Sequence, residues 1–236
     1  GLKTEKLYEI LDLIAYYFPE CEGINMDATV TSILHKSQEE LEMLARKKVK
    51  HLYLGIESGL DDVLKFMKKD HDLAQAYQAI DRLHGAGLIY DAHIMTGVAG
   101  KGRGMENAGA LAQFLNRTNP AHVVNFSMFL HKEVPLYQDI RQGTFVPADE
   151  LETIREEYHL IERIAPEKAG ANILYDGFHD FIHVRVRGHL PGDKEKMLAK
   201  LNGIIQEYEG KEPVYSFVQG ECPDLEYCDD GKAVWD

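Results

Sequence analysis

The sequence predicts an α/β fold with a parallel sheet, and three observations carry that prediction. Short β-rich runs alternate with amphipathic helices of ten or more residues, the order that parallel βαβ crossovers need. Hydrophobic residues make up 44% of the 236 and charged residues 28%, so a sizeable core can be buried. Roughly four strand–helix units precede residue 165, too few to close an eight-unit barrel.

Each element has its own local signal. Residues 3–18 place Leu7, Ile10, Leu11, Ile14 and Phe18 on one helical face. The stretch Gly23–Ile33 reads as a strand feeding a loop. Ser37 with Glu40 forms a capping box, opening a helix that buries Leu41, Leu44 and Ala45. HLYLGI (His51–Ile56) is a compact strand. Residues 72–84 form a helix through Leu73, Ala76, Tyr77, Ile80 and Leu83, stopped by Gly85 and Gly87. Strands follow at 88–96 and 121–130, with helices at 105–115 and from Asp149 to about Ile164. Beyond 165 the character changes: Phe181–Gly188 alternates like a solvated strand, Asp193–Tyr208 reads as a helix, and the tail from Lys211 is turn-rich. Two regions are therefore expected, 1–165 as the βα part and 166–236 as a small α+β extension.

Composition excludes several function classes. There are 26 basic against 39 acidic side chains, a net charge of −13, which repels nucleic-acid phosphates and anionic membranes. No apolar run reaches the roughly 18 residues of a membrane span. Cys21, Cys222 and Cys228 are an odd, sparse set, which disfavours a disulfide scaffold and fits a reducing cytoplasm.

The candidate chemistry sits after the strands. Glu57 and Ser58 follow HLYLGI in GIESG, where parallel strands face a ligand crevice and a carboxylate can accept hydrogen bonds from a ribose diol. The structural alternative is that the pair caps a helix starting near Leu60. His93, Thr96 and Gly97 run into the glycine-rich VAGKGRG, where Lys101 and Arg103 suit a carboxylate or phosphate, although the spacing is neither Walker A nor dinucleotide-binding. His179 and His183 in HDFIH resemble a zinc-hydrolase spacing, but that chemistry needs a helix and the following residues alternate like a strand. Cys222 and Cys228 are spaced too widely for a usual zinc pair, and free thiols are the plainer reading.

KSQEELEMLARKKVKHLYLGIESGLDDVLKFMKKDHDLAQAYQAIDRLHGAGL resembles the middle of the radical S-adenosylmethionine (SAM) enzymes, in which a strand ending in G-[IL]-E-S-G precedes a helix of "-VLK-M-K" type. NPAHVVNFSMFLHKEVPLY resembles that family's later strands, and RGHLPGDKEKML a C-terminal signature of its Fe–S oxidoreductase branch, close to the oxygen-independent coproporphyrinogen oxidases and the B12-associated radical enzymes. The resemblance covers roughly residues 24–200. It implies a partial (β/α) TIM-like barrel, a [4Fe–4S] cluster on C-x3-C-x2-C, and reductive cleavage of SAM to a 5′-deoxyadenosyl radical that abstracts hydrogen from a small-molecule substrate. An electron donor such as flavodoxin or ferredoxin is implied with it. Glu57 and Ser58 match the ribose-contacting position, His93 a second polar ribose contact, Gly97 the turn approaching adenine, Asp27 a polar residue of the preceding strand, and Asn125 the strand near the adenine edge.

The sequence departs from the family at the cluster. No cysteine stands in C-x3-C-x2-C, and the chain opens in a helix, so an N-terminally truncated barrel is expected, inactive alone, with a strand edge near Gly23–Val30 inviting self-association. Two competing readings remain: another (β/α) barrel enzyme, of aldolase or isomerase type, using Glu57 and His93 as acid and base, or a non-catalytic binding module.

Overall fold

Local capping sets where four of the helices begin. Thr29 with Ser32, Ser37 with Glu40 and Asp72 with Gln75 form reciprocal capping boxes, and Asp149 accepts the Glu152 N–H. The computed structural model describes residues 2–217, 227–228 and 232–233. In chain order these hold α1 (Thr4–Tyr17), β1 (Ile24–Ala28), α2 (Val30–Leu34), α3 (Gln38–Arg46), β2 (Val49–Glu57), α4 (Asp61–Phe66), α5 (Leu73–Gly85), β3 (Ile89–Thr96) and α6 (Gly104–Thr118). There follow β4 (His122–Ser127), α7 (Leu136–Arg141), α8 (Glu150–Arg163), β5 (Ile173–His179), β6 (Val184–Leu190) and α9 (Lys194–Tyr208). Tyr227–Cys228 and Lys232–Ala233 pair as a short antiparallel ribbon.

The sheet runs β1-β2-β3-β4-β5-β6 in sequence order. Every pair from β1 to β5 is parallel, and β6 returns antiparallel on β5. Successive parallel neighbours joined by helices are the topology of a partial barrel. β5 comes as an addition: its run ILYDGFH carries a glycine and buried polar residues, so no strand periodicity announces it. The sheet therefore continues without a break past residue 165.

Period-2 alternation sorts the strands into two faces. Leu52, Leu54 and Ile56 of β2, Tyr90, Ala92 and Ile94 of β3, Val123, Ile173, Tyr175, Val186 and Leu190 join the helices in one buried core. The opposite, concave face carries polar and aromatic side chains. Along it Tyr53, His93, Phe126 and Phe178 touch in succession, with ring centroids 5.1, 5.9 and 5.7 Å apart, and Arg185 lies 4.7 Å over the Phe178 ring.

Candidate functional site

The site is the C-terminal rim of β2 and β3 on the concave face. Glu57 ends β2 with a φ of 61°, and the β2–β3 register shifts between Gly55 and Glu57. That local bend folds the side chain back along its own strand. A Cβ placed on Gly55 would lie 2.8 Å from Glu57 Oε1, so the glycine leaves room for the carboxylate. Gly55 is the register partner of His93. The carboxylate therefore lies over the residue paired with His93, and Lys69 Nζ holds it at 3.2 Å. Asp27 is exposed on β1 and pairs in register with Tyr53, on the same face.

The other expected site residues behave differently. Ser58 is fully buried. Its hydroxyl donates to Asn107 Oδ1 at 2.6 Å and accepts the Leu60 N–H at 3.1 Å. It shapes the turn before α4, while the Glu57 carboxylate is bonded to Lys69 rather than to the start of that helix. Gly97 has a φ of 82° and donates its N–H to Glu156 Oε2 at 2.9 Å. Asn125, expected near an adenine edge, turns its side chain into the helix layer instead. There it accepts the Thr96 N–H at 3.2 Å and donates to Glu157 Oε1 at 3.2 Å. It alternates with Val124 and Phe126, so the concave side belongs to Phe126.

The loop after β3 is internally satisfied. Arg103 binds Asp62 at 2.7 Å and Glu106 at 2.8 Å, and the Gly102 N–H donates to Glu152 at 2.5 Å. The cations expected to hold an anion are thus reduced to Lys101.

Beneath the rim lies a polar layer that sequence reading missed. His179 gives one ring nitrogen to Glu150 at 2.9 Å and the other to Glu157 at 3.0 Å, with all three groups buried. Burial alone would lower the His179 pKa, but the bonds to Glu150 and Glu157 outweigh it and push it up to about 10. Burial works to raise Glu150, yet His179, Ser216 and Ser127 hold it below the ordinary carboxylate value. With both nitrogens engaged and His183 outside any α-helix, HDFIH is a structural ion-pair motif. The sequence signals were His179 in HDFIH and the acidic run of α8, and nothing local joins the two.

The residues present fit one half of the expected cofactor. A carboxylate beside an imidazole on a concave aromatic face suits a ribose and a base. A cluster does not fit: among the described residues no group of three His, Cys, Asp or Glu could hold a metal, and the Cys21 thiol donates to the Gly23 carbonyl at 3.4 Å. Cys222 and the Cys228 side chain lie outside the described residues.

Residues 2–115, just under half of the chain, match the family model described as the radical SAM superfamily. This segment is similar to the radical SAM superfamily. The match is to the superfamily as a whole and separates no branch within it. Among solved structures, the chain is similar to an N-terminally deleted Elp3 of the archaeon Methanocaldococcus infernus, with TM-score 0.58, 17% identity, and coverage of 79% of this chain and 42% of that one. It is also similar to methylornithine synthase (PylB), with TM-score 0.50, 15% identity, and coverage of 85% and 63%. Such identities establish a shared fold alone, and the chain spans less than two thirds of either structure. No curated protein matches the sequence. Among the described residues no helix is long and apolar enough to cross a membrane.

Proposed function

We propose that this radical SAM chain forms the nucleoside-facing wall of an Fe–S oxidoreductase, with Glu57 and His93 as the ribose contacts and the Gly97 turn against adenine. One observation carries the reading. The Glu57 carboxylate is folded over Gly55, the register partner of His93, which places an acceptor and an imidazole side by side on the concave rim. Lys69 keeps the carboxylate in place. Asp27 and the Tyr53–His93–Phe126 ring row extend the same face toward a small-molecule substrate.

Bound with its [4Fe–4S] cluster, SAM supplies hydrogen-atom abstraction. The described residues bring together no set of cluster ligands, so this chain by itself is read as binding the nucleoside without cleaving it. The cluster's electron donor, a flavodoxin or ferredoxin, and a reducing cytoplasm belong to the same reading.

The test is equilibrium dialysis of the chain with S-adenosylhomocysteine, which has the nucleoside without the sulfonium. A charged hydrogen bond to a ribose hydroxyl is worth about 1.5–3 kcal/mol. Glu57→Ala is therefore expected to weaken binding roughly ten- to a hundred-fold while the melting temperature holds. Normal binding with early melting would make Glu57 a structural residue, and absence of binding by the parent chain would sink the assignment.

A further inference from the structure

The turns after β2 and β3 are joined through one buried carboxylate. Glu156 Oε2 accepts the Gly97 N–H at 2.9 Å, and its Oε1 accepts the Asn107 side-chain N–H at 2.6 Å. Asn107 Oδ1 then accepts the Ser58 hydroxyl at 2.6 Å and the Gly59 N–H at 3.3 Å. Glu156 is 1% exposed and Asn107 and Ser58 are fully buried, so no bulk water substitutes for any partner. The approach is tight enough to need a glycine: a Cβ on Gly104 would lie 3.0 Å from Glu156 Oε2. Each oxygen of Glu156 thus serves a different turn.

We infer that Glu156 is a positioning residue whose two carboxylate oxygens clamp the β2 and β3 turns together, and that protonation opens the clamp. The functional consequence rests on the reading of those turns as the nucleoside wall. A carboxylate accepts at both oxygens, whereas a carboxylic acid turns one oxygen into a donor. Either the Gly97 N–H or the Asn107 NH2 then faces a hydrogen. Asn107 can answer by flipping its amide, but its oxygen then leaves the Ser58 hydroxyl and the Gly59 N–H. Both routes release one turn.

The proton involved titrates in a useful range. Burial pushes Glu156 up to about 7, against the lowering effect of the Gly97 N–H and Asn107. Glu152, on the same helix, raises it further, and His179 of β5 lowers it. The Tyr175 hydroxyl of β5 also faces it electrostatically, and its own pKa lies well above the ordinary value. A folded pKa raised from 4.5 means that the folded chain holds this proton more tightly than the unfolded chain. Its contribution to global stability therefore falls as pH rises across that interval, while the clamp closes at the upper end. Positioning and stability move in opposite directions, which separates the two roles.

The experiment uses the whole chain labelled with 15N-glycine. The Gly97 and Gly59 amide resonances are followed from about pH 5.5 to 8.5, and S-adenosylhomocysteine affinity is measured across the same range. Both amides are expected to shift with a common midpoint near 7, and affinity to rise roughly ten-fold from low to high pH, the worth of one buried hydrogen bond. Glu156→Gln, which like the acid has one acceptor and one donor, should freeze both amides and hold affinity at the low-pH level. Its melting temperature at pH 8 should equal or exceed that of the parent, showing that the variant folds. Amides that ignore pH, or that still titrate in Glu156→Gln, overturn the clamp. Amides that respond while affinity is flat overturn the positioning role. Amides that respond while nothing binds at any pH leave the clamp standing and overturn the nucleoside reading.

Discussion

His179 is the residue on which the buried ion-pair layer turns. It stands between Glu150 and Glu157, all three in the layer between β5 and α8. Breaking a buried ion pair by removing one partner leaves uncompensated charge and costs about 3–5 kcal/mol. His179→Ala should lose that much at pH 7 in urea melts. The pKa is raised from 6.5 to about 10, so the stabilisation is complete below the lower value and is lost as pH rises through the upper one. The parent chain is expected to weaken between about pH 6.5 and 10, with the variant nearly flat over that interval. A parent chain flat over the same interval would mean that His179 is neutral in the fold.

At the scale of elements, the β2 turn and α6 act as one piece. A Cβ on Gly59 would collide with the backbone of Ala110 and Leu111, which cannot swing aside as a side chain can. Gly59→Ala should cost about 1–3 kcal/mol of stability by overpacking and should also weaken nucleoside binding, because the displaced turn carries Glu57. Ser37→Ala, at the cap of α3, should cost only about 1 kcal/mol and leave binding untouched. Thermal melts of the two variants beside the dialysis assay check the contrast. Equal effects of both variants on binding would mean that the rim depends on global stability alone.

At the scale of the molecule, the two sheet edges differ. On β6, Lys200 Nζ donates to the Arg185 carbonyl at 2.5 Å, and Asp193 takes the His189 N–H at 2.8 Å, which blunts that edge. Among the described residues β1 pairs with β2 alone, and the end of α1 with its C-cap exposes Tyr16, Tyr17 and Phe18 by 77, 67 and 65%. An open strand edge and exposed apolar side chains each favour association, and the charge of −13 opposes it. Light scattering is expected to show self-association that strengthens with salt, as repulsion is screened, and that Tyr17→Ser with Phe18→Ser reduces. A monomer at high salt would mean that this surface is inert. Anaerobic iron–sulfide reconstitution of the chain is expected to leave it without stoichiometric cluster, since the described residues converge no set of ligands.

What the sequence by itself determined is what neighbouring residues decide. The capping boxes at Ser37 and Asp72 place α3 and α5, the period-2 runs place β2, β3 and β4, and GIESG places Glu57 at a strand end. These signals span a turn or two of chain. The tertiary structure decided which face each residue joined and which charges were buried. Asn125 went to the helix layer because β4 alternates about Val124 and Phe126. β5 stayed hidden because Gly177 makes room for Glu157, which would collide with a Cβ there. Glu150, Glu156 and Glu157 read as the solvated side of an acidic helix, because the partners that justify their burial lie on the turn after β3, on β4, β5 and α6 and in the segment at Ser216. A buried charge is tolerated only when such partners converge on it, and convergence across a hundred residues of chain is a property that no local pattern carries.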